Sequence, residues 1–399
     1  MNKKLVLAYS GGLDTSFCVK YLKEEKGYDV YTAIANTGGF SQSDLESIEK
    51  KAYSLGAKKH VTLDITQEYY QKCIRYMVYG NILRNNSYPV SVSSERVFQA
   101  IAIINYAKEI GAGYIAHGST GAGNDQVRFD LTFQIMAPEI EIITPIRDMM
   151  LSREQEIEYL KKHGVEDDFK KLQYSLNQGI WGTSVGGKET LTSKLPLPDQ
   201  AYPNQLKAEG ERIVELGFAG GELNSIDNKS FVNVVEAIGT LESIASDYAI
   251  GRDIHVGDTI IGIKGRVGFQ AAAPLIIIKA HHLLEKHTLT KWQAYWKEQL
   301  SNWYGMLLHE AMYFEPVMRN IESFLEDTQQ NVNGKVYVKL IPYTFELQGI
   351  ESENDLMNSG FGDYGETVKA WTAEDVKGFT KILANPLKVY YTMNKKLNY

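Results

Sequence analysis

The sequence predicts an α/β fold in which a parallel sheet with helices on both faces is followed by an α+β region. Three observations support this prediction. Apolar runs of strand length alternate with helical periods from residue 4 to about residue 165. Glycine-rich turns follow the first and fourth of these runs, and the alternation stops beyond Gly164. Strands that alternate with helices build parallel sheets, whereas a region without this alternation indicates another architecture.

The first region contains five predicted strands, at 4–9, 30–35, 60–64, 114–117 and 140–145. Helices are predicted near 14–25, 44–55, 67–80 and 94–110, with a last one after Ser152. Ser43-Asp44-Leu45-Glu46 and Ser152-Arg153-Glu154-Gln155 have the form of capping boxes. Ligands of such sheets lie beyond the carboxyl ends of the strands. The opening turn, the turn after Ala35 and the turn after His117 should therefore converge there.

The second region lacks this regular alternation. Residues 170–205 are rich in Gly, Ser, Thr and Pro and are predicted to be loops. The elements predicted beyond them are a hairpin around Gly220-Gly221, a helix at 230–248, strands at 258–269 and 275–280, a helical region at 290–329 and a hairpin at 335–350. A final helix starts at Thr372, and an apolar tail follows at 385–399. The predicted domains are 1–167, 168–370 and 371–399, and such a tail typically docks on a neighbouring subunit or on its own chain.

Composition excludes several classes of protein. The 399 residues suggest two or three domains, at roughly 150 residues each. A net charge of −7 with scattered Lys and Arg disfavours nucleic acid as the main partner. Cys18 and Cys73 are the only cysteines, as expected in a reducing compartment. No apolar window approaches the ~18 residues of a membrane helix, so a cytoplasmic protein with no membrane partner is expected.

The stretch Ala8-Tyr9-Ser10-Gly11-Gly12-Leu13-Asp14-Thr15-Ser16 joins the first strand to the first helix. Its glycines let the backbone approach an anion, and its three hydroxyl groups can donate to phosphate oxygens. Free N–H groups at the helix N-terminus add to such an anion site. Asp14 has two interpretations: it binds backbone amides and fixes the turn, or it faces a Mg²⁺ that accompanies the phosphates. A tight turn with a capping aspartate is the alternative to phosphate binding.

A second cluster of small and polar residues runs from His117 to Asp130. Its glycines do not have the dinucleotide spacing G-x-G-x-x-G, and no lysine follows Gly11-Gly12 as a Walker loop would require. Asn124, Asp125 and Arg128 can together bind amine, amide and carboxylate groups, and arginine suits a carboxylate or phosphate through its planar fork. A solvated turn is the alternative interpretation.

Three weaker patterns accompany these clusters. In Tyr88–Arg96, Ser93 either caps a helix that starts near residue 95 or contacts a ligand. His281, His282 and His287 lack the H-E-x-x-H spacing, so no firm metal site is predicted. The aromatic residues of Trp292–Trp296 have helical spacing and are predicted to lie in the core or at an interface.

Taken together, the two clusters resemble those of the argininosuccinate synthase family. The resemblance covers nearly all of the chain and recurs at Gly251-Arg252-Asp253, at Gly262-Ile263-Lys264-Gly265-Arg266 and at Ala280-His281. The first cluster alone would indicate only the wider class of N-type ATP pyrophosphatases. The resemblance implies a Rossmann-like, adenine nucleotide α-hydrolase-like first domain. It further implies an α+β synthetase and multimerisation domain, and a homotetramer whose C-terminal tail helps assembly.

The resemblance also implies a two-step ligation in arginine biosynthesis. The ureido oxygen of citrulline attacks the α-phosphorus of ATP and pyrophosphate leaves; the amine of aspartate then displaces AMP from citrullyl-AMP to give argininosuccinate. ATP, with Mg²⁺, would be held by Ala8, Tyr9, Ser10, Gly11, Gly12, Asp14, Thr15, Ser16, Ala35 and Gly118. Aspartate would be held by Thr120, Asn124 and Asp125. Citrulline would be held by Tyr88, Ser93, Asn124, Arg128, Ser175 and Ser184. The catalytic candidates are Asp14, Asp125 and Arg128, with Asp125 the candidate base near the aspartate amine.

Four positions depart from the family pattern. Ala122 stands where a lysine is expected and Asn177 where an aspartate is usual. Gly257 replaces a glutamate and Phe269 a tyrosine, both of which in the family contact the amino-acid end of citrulline. Since a carboxylate at that place would pair with an α-ammonium group, one hypothesis is that the acceptor is an α-N-acylated citrulline. In the alternative, neighbouring residues take over and free citrulline is the substrate.

Two rival functions remain at this stage. Another ligase of the ATP pyrophosphatase class would release AMP and pyrophosphate with a different acceptor. A non-catalytic nucleotide-binding sensor would bind ATP without turnover. Asn124, Asp125 and Arg128 argue against a sensor, because nucleotide binding alone does not need them.

Overall fold

The computed structural model describes residues 3–165, 174–360 and 370–394. The chain forms two compact units, Met1–Glu353 and Asn354–Tyr399. The strands are β1 Lys4–Ala8, β2 Asp29–Asn36, β3 Lys59–Asp64, β4 Tyr114–Ala116, β5 Glu141–Ile143, β6 Ser175–Gly179, β7 Gly182–Gly186, β8 Arg212–Ala219, β9 Glu222–Ile226, β10 Lys229–Ser230, β11 Arg252–Asp258, β12 Lys264–Gln270, β13 Gly334–Ile341 and β14 Thr344–Glu351.

The helices are α1 Leu13–Glu24, α2 Gln42–Ser54, α3 Thr66–Tyr69, α4 Arg75–Tyr79, α5 Ser91–Glu109, α6 Asp125–Met136, α7 Pro145–Asp148, α8 Arg153–Lys162, α9 Val234–Ser246, α10 Ala272–Thr288, α11 Lys291–His309, α12 Pro316–Asp327, α13 Ala373–Leu383 and α14 Asn385–Asn394. A π-helical segment, Tyr70–Ile74, joins α3 to α4. The predicted boundary at 167/168 and residues 395–399 of the tail lie outside the described residues. The division into three domains stays a prediction.

The predicted parallel sheet is confirmed. β1 to β5 pair in parallel in the order β3-β2-β1-β4-β5. The centre of β1 is fully buried at Leu5, Val6 and Leu7, because helices cover both faces of a parallel sheet. The chain changes direction across the sheet between β1 and β4, and such a switch point is where open α/β sheets bind their ligands.

The remaining strands of the first unit form two antiparallel sheets. One has the order β10-β9-β8-β13-β14 and the other the order β11-β12-β7-β6. In the second of these, β7 pairs with both β6 and β12. Residues 183–185 therefore pair with residues 268–270, a long-range pairing that no local pattern in the sequence indicates.

Helix α5 connects the parallel sheet to this four-stranded sheet. It packs against β1 and β2 on one side and against β6, β7 and α6 elsewhere. At its N-terminus, the indole Nε1 of the buried Trp181 donates to the carbonyl of Pro89 at 3.0 Å. Val90, the N-cap residue, has φ 57°, which is strained for a β-branched residue. Strain of this kind is concentrated at functional sites, where the surrounding structure enforces it.

One predicted strand is wrong: residues 275–280 belong to α10. Ile276, Ile277 and Ile278 are each at most 1% exposed, whereas Lys279, His282 and Lys286 are exposed, so the exposed face of this helix is narrow. Three consecutive buried residues span more than half of a helix circumference, which hides the 3.6-residue alternation in a short window. A short run of isoleucines in such a helix cannot be distinguished from a buried strand by periodicity.

Other corrections concern the ends and number of elements. The supposed loop region 170–205 contains β6 and β7, and the single strand at 258–269 is a hairpin of β11 and β12. The helix α6 was not predicted, and the helical region 290–329 is divided at residues 310–315 into α11 and α12. The capping box before α2 starts at Ser41, which pairs with Asp44, rather than at Ser43. The predicted box at Ser152 and Gln155 is confirmed.

The second unit contains α13 and α14. The capping box predicted at Thr372 is confirmed, since its side chain accepts from the backbone N–H of Asp375. Large apolar side chains on both helices are exposed, among them Phe379, Ile382, Leu387 and Tyr390. This amount of exposed apolar surface is unusual for a helix pair that remains in water.

Gly251 is a glycine at which the structure predicts a high substitution cost. Its φ is 84°, and a Cβ there would lie 2.6 Å from backbone atoms of Ala271 and Ala272. Gly220 also has a positive φ, 54°, but nothing lies within 4 Å of its Cβ position. We expect Gly251→Ala to lower the free energy of unfolding by about 2 kcal/mol more than Gly220→Ala. Urea denaturation of both variants measures the difference, and equal losses would contradict the expected crowding.

Candidate active site

The opening loop, residues 8–16, is held in shape by its own hydroxyl groups. Ser10 Oγ and Thr15 Oγ1 lie 3.3 Å apart, and the Gly12 N–H donates to Ser10 Oγ at 3.4 Å. Ser16 Oγ donates to the carbonyl of Gly12 at 2.7 Å. Gly11 has φ 76°, so glycine suits this turn. The hydroxyl groups and the carbonyl of Gly12 thus fix the shape of the loop through its own hydrogen bonds.

A cation that the sequence did not single out lies at this loop. Nζ of Lys51, from α2, donates to the carbonyl of Gly11 at 2.8 Å. The same loop lies at the positive end of the α1 dipole. The region around Gly11 and Gly12 therefore has the positive potential that a phosphate chain requires.

Asp14 has a partner that neither interpretation of the sequence predicted. It lies in the first turn of α1 and is hydrogen-bonded to Glu156 of α8. Burial, together with the negative charge and the hydrogen bond of Asp14, raises the pKa of Glu156 from 4.5 to about 8. At neutral pH Glu156 is therefore protonated.

This carboxyl pair makes stability depend on pH. The folded chain keeps the Glu156 proton up to about pH 8, whereas the unfolded chain releases it near 4.5. Between these values the folded state binds more protons, so the free energy of unfolding contributed by this group falls as the pH rises. We expect Glu156→Gln to flatten that decline, because its amide donates to Asp14 at every pH. Denaturant titrations at several pH values across this window measure the slope, and an unchanged slope would contradict the assignment.

The turn after β4 meets the opening loop, as the sequence predicts. A Cβ at Gly118 would lie 3.2 Å from Thr15 Cγ2 and 3.3 Å from Asp14 Cβ, so a side chain there would have to push these neighbours away by a few tenths of an ångström. The glycine loop beyond it is fixed by Gln126, whose Nε2 donates to the carbonyl of Gly121 at 2.6 Å. Thr120, within this loop, is exposed.

The turn after Ala35 contacts α5. Gln99 Nε2 donates to the carbonyl of the buried Ala35 at 3.4 Å, and Thr37 Oγ1 donates to Glu95 Oε1. Glu95 is 2% exposed, and burial raises its pKa to about 7 even though Arg96 and Thr37 lower it. The turn after Ala35 therefore contacts a carboxyl group whose pKa lies near neutrality.

Arg96, Asp125 and Arg128 form the centre of the site. Asp125, at the start of α6, accepts from Arg96 Nε and from Arg128 Nη1, each at 3.0 Å. Arg96 also bonds Asn177 of β6, and Arg128 Nη2 donates to the carbonyl of His309 at 3.0 Å. Burial alone raises the pKa of Asp125, but the two arginines outweigh it and hold the pKa below its ordinary value. Asp125 is thus a carboxylate whose position is fixed by two guanidinium groups.

One face of the four-stranded sheet lies next to this centre. Directly paired residues of antiparallel strands project to the same side. This face is defined by three directly paired sets of residues: Asn177 with Ser184, Ser184 with Phe269, and Gly257 with Gly265. We call it the Ser184 face; its residues are Ser175, Asn177, Ser184, Asp253, His255, Gly257, Gly265, Val267 and Phe269.

Tyr88 connects α5 to the Ser184 face. Its ring lies between His255, at 4.8 Å between ring centroids, and Phe269, at 5.3 Å. Its hydroxyl accepts from the backbone N–H of Val92 at 3.2 Å. The helix begins at Ser91, so Ser93 lies inside the first turn and does not cap it. The capping alternative for Ser93 is therefore wrong.

The structure brings most of the predicted residues together. Asn124 joins α6 to the β11–β12 turn, since its Oδ1 accepts from the backbone N–H of Ile260 at 2.8 Å. Thr120 and Ser175 are exposed at the edge of the site, and Ser184 is buried. Whether these side chains contact substrates stays a prediction. The sequence reasoning missed the roles of Glu95 and Arg96, although both stood in the Tyr88–Arg96 stretch.

The structure can be compared with the expectations for a metal site, for the Trp292–Trp296 segment and for a membrane helix. No group of three or more His, Cys, Asp or Glu side chains suited to a metal ion occurs in the described ranges 3–165, 174–360 and 370–394. His281 is fully buried and bonded to Asn81 and Gln329. The Trp292–Trp296 segment is exposed rather than part of the core, with Trp292 65% and Trp296 57% exposed. Among the same residues no helix is long and apolar enough to span a bilayer.

Comparison with protein families agrees with this geometry. Residues 4–166 match the family model described as arginosuccinate synthase N-terminal HUP domain, and residues 174–390 match that of the arginosuccinate synthase C-terminal domain. The chain belongs to the argininosuccinate synthase family. Both matches together span the parallel sheet, the Ser184 face and the helices that carry the site.

Individual relatives show the extent of the similarity. The argininosuccinate synthase of Dictyoglomus thermophilum is 35% identical over 385 residues, 95% of each chain. That of Pyrococcus furiosus is 34% identical over 98% of this chain and 95% of its own. That of Methanocaldococcus jannaschii is 33% identical over 99% and 100%. The solved NH3-dependent NAD synthetase of Campylobacter jejuni covers 44% of this chain and 70% of its own at 14% identity, with a TM-score of 0.30, too low to support an argument.

The departures from the argininosuccinate synthase pattern lie at two places in the structure. Ala122 is exposed in the glycine loop, whereas Asn177, Gly257 and Phe269 all lie on the Ser184 face. Phe269 is fully buried against Tyr88, so its ring keeps a packing role without a hydroxyl group. Three of the four departures therefore share one surface.

Proposed function

We propose that this chain joins a citrulline to aspartate through a citrullyl-AMP intermediate, with ATP converted to AMP and pyrophosphate. Family membership makes the chain an ATP-dependent ligase that forms a carbon–nitrogen bond in arginine biosynthesis. The observation that supports the two-step route best is the Arg96–Asp125–Arg128 centre. It connects α5, α6 and β6, and it lies next to both the glycine loop and the Ser184 face.

ATP is assigned to the opening loop, with its adenine near Ala35 and Gly118 closing the site. The preformed hydroxyl network, Lys51 and the α1 N-terminus supply donors and positive potential for the phosphates. Asp14 is the carboxylate present for Mg²⁺, whose other ligands in ATP enzymes are largely phosphate oxygens and water. Bound Mg²⁺ would neutralise part of the charge on the departing pyrophosphate.

Positioning accounts for the first chemical step. A ureido oxygen is a weak nucleophile, so the rate depends on holding it in line with the α-phosphorus and on stabilising developing charge. Tyr88, Ser93 and Ser184 would fix the acceptor, and the guanidinium of Arg128 would bind it as well. The O–P bond forms as the bond to pyrophosphate breaks, and no covalent enzyme intermediate is needed.

The second step joins the aspartate nitrogen to the ureido carbon. Thr120, Asn124 and Asp125 would hold aspartate with its amine near the adenylate. The C–N bond forms, the C–O bond to AMP breaks and the amine loses a proton. Asp125 is ionised at neutral pH and is the nearest candidate acceptor for that proton, although its two arginine partners make it a weak base.

The test is pyrophosphate release with each substrate omitted in turn. Complete reactions contain ATP, Mg²⁺, aspartate and either citrulline or an acylated citrulline, and mass spectrometry identifies the product. We expect argininosuccinate or its acylated form, with one AMP and one pyrophosphate per product. ATP binding without turnover would favour the sensor alternative. Turnover that needs neither citrulline type nor aspartate would favour a different ligase of this class.

The proposal also covers assembly and location: the chain forms a homotetramer in the cytoplasm. The exposed apolar side chains of α13 and α14, and the exposed tryptophans of α11, offer surface for contacts between subunits. Both cysteines, Cys18 and Cys73, are free thiols, as expected in a reducing compartment. Light scattering of the full chain at several concentrations measures the number of subunits, and a monomer would contradict this part.

A further inference from the structure

The Ser184 face carries little negative charge where the acceptor would lie. Asn177 is neutral, and Gly257 has no side chain. A Cβ at Gly257 would lie 2.9 Å from His255 Nε2, 3.3 Å from His255 Cε1 and 3.6 Å from Asn85 Nδ2, so the polar atoms nearest to this position are nitrogens. None of these three nearest atoms belongs to a carboxylate.

Four nitrogen-bearing side chains gather beside this position. We call Arg84, Arg128, His255 and His309 the nitrogen cluster. The rings of His255 and His309 are 6.3 Å apart between centroids. Arg128, His255 and His309 are each at most 5% exposed. Each of the four has one buried nitrogen without a hydrogen-bond partner: Nε in the arginines and Nδ1 in the histidines.

These unpartnered nitrogens indicate a ligand. An arginine Nε–H is always a donor, and leaving it buried and unpaired costs about 1–3 kcal/mol. Two guanidinium groups here keep their positive charge at every physiological pH. Burial, together with the charges of Arg128 and Arg84, lowers the pKa of His309 to about 3, so its imidazole stays neutral. The surroundings favour an anion and oppose an ammonium group.

Three carboxylates near the nitrogen cluster either bind other groups or are partly exposed to solvent. Asp125 is held by Arg96 and Arg128. Glu310 lies 3.9 Å from Arg84 Nη2 with 38% of its side chain exposed. Asp253, on the Ser184 face, is exposed, and its Oδ1 accepts from the backbone N–H of Ile254 at 2.6 Å. Asp253 is therefore the one carboxylate that has to be tested as a substitute for a side chain at Gly257.

We infer that the preferred acceptor is a citrulline whose α-nitrogen is acylated, with a carboxylate of the acceptor bound by the nitrogen cluster. This inference rests on the proposed function and names its substrate class. An amide nitrogen is uncharged, so it needs no carboxylate partner near Gly257. The bound carboxylate is either the α-carboxylate alone or also one at the far end of the acyl group, and the two sources share the same chemistry.

Steady-state kinetics with three acceptors test the inference. We expect kcat/KM for N-acetylcitrulline or N-succinylcitrulline to exceed that for citrulline by at least roughly tenfold, because an ammonium group beside the guanidiniums of Arg84 and Arg128 is unfavourable. A preference for the succinyl form would assign the cluster to the acyl carboxylate, and equal values would assign it to the α-carboxylate. Preference for free citrulline would overturn the inference and leave the proposed function intact. Absence of product with all three would overturn the proposed function itself.

Matched variants at Gly257 provide a second test. Gly257→Glu and Gly257→Gln add side chains of the same size, and only the first adds a charge. We expect Gly257→Glu alone to shift preference toward citrulline, by roughly tenfold. An equal shift in both variants would show a steric effect and contradict the inference.

Two further variants remain informative if position 257 does not tolerate a side chain. Arg84→Gln is expected to raise KM for the acylated acceptor several-fold. KM for ATP should stay unchanged, because Arg84 is assigned to the acceptor and not to ATP. Asp253→Asn is expected to leave the ratio between acceptors unchanged. A change of that ratio toward acylated acceptors in Asp253→Asn would mean that Asp253 binds an ammonium group, which would overturn the inference.

Discussion

Replacing Asp125 by alanine is expected to abolish measurable ligation and to destabilise the fold. The substitution leaves Arg96 and Arg128 without the carboxylate that both bind. The expected loss in the free energy of unfolding is about 2–4 kcal/mol, below the largest values for buried ion pairs because 36% of the Asp125 side chain is exposed. We expect pyrophosphate release to fall by at least roughly 10³-fold, since both arginines lose their fixed orientation.

Asp148 offers a matched control for this experiment. Its side chain is 60% exposed, and its Oδ1 lies 3.8 Å from Nε of Arg147. Asp148→Ala therefore removes a carboxylate from a surface ion pair. Such pairs contribute about 0–1 kcal/mol, and its activity should remain near that of the parent. Thermal or urea denaturation and pyrophosphate release are measured for both variants. Activity in Asp125→Ala within tenfold of the parent would remove Asp125 from the reacting centre.

Replacing Asp14 by asparagine is expected to lower kcat/KM for ATP by roughly 10²-fold, because the opening loop loses the negative charge available to Mg²⁺. Glu156→Gln is the matched variant. It changes the partner of Asp14 but keeps a donor to its carboxylate, so its activity should stay within about threefold of the parent at neutral pH.

Initial rates at varied ATP and Mg²⁺ separate the two interpretations of Asp14. If Asp14 faces Mg²⁺, the asparagine variant needs a higher Mg²⁺ concentration for half-maximal rate. If it only fixes the loop, KM for ATP rises and the Mg²⁺ dependence is unchanged. Parent-like rates in Asp14→Asn, or equal losses in both variants, would contradict a specific role of the Asp14 charge.

Much of the first region could be predicted from local pattern. The strands near residues 5, 31 and 115 are short apolar runs bounded by glycine or polar turns, and their type follows from the alternation with helices. The turn after Ala8 was predictable for the same reason, because two glycines and three hydroxyls within nine residues are unusual outside anion sites. The predictions for this region therefore succeeded because short stretches of sequence determine these elements.

The second region was predicted less well because its signals are not local. Ile276–Ile278 resemble a strand, because three consecutive buried apolar residues fit a buried strand as well as the wide buried face of α10. The β6–β7 hairpin consists largely of Gly, Ser, Thr and Asn, and it is stabilised as a strand pair by β12, about 80 residues later in the chain. Propensity alone favours a loop there, and tertiary pairing outweighs it.

The same limit applies to the candidate site. Residues inside glycine-rich motifs, such as Asn124, Asp125 and Arg128, were identified from the sequence. Arg84, His255 and His309 lie in no motif, and only folding brings them near Arg128. Glu95 and Arg96 were visible, but their burial, which determines their charge and orientation, was not.

The bond between Arg128 Nη2 and the carbonyl of His309 spans 181 positions of the chain. Synthesis on the ribosome proceeds from the N-terminus, so the opening loop and the parallel sheet emerge long before His309 does. A nascent chain can fold its ATP loop while Arg128 still lacks this anchor, and the acceptor side is then incomplete. The anchor of Arg128 is therefore completed only after α11 has been made, so the acceptor side of the site is the last part of the site to form during synthesis.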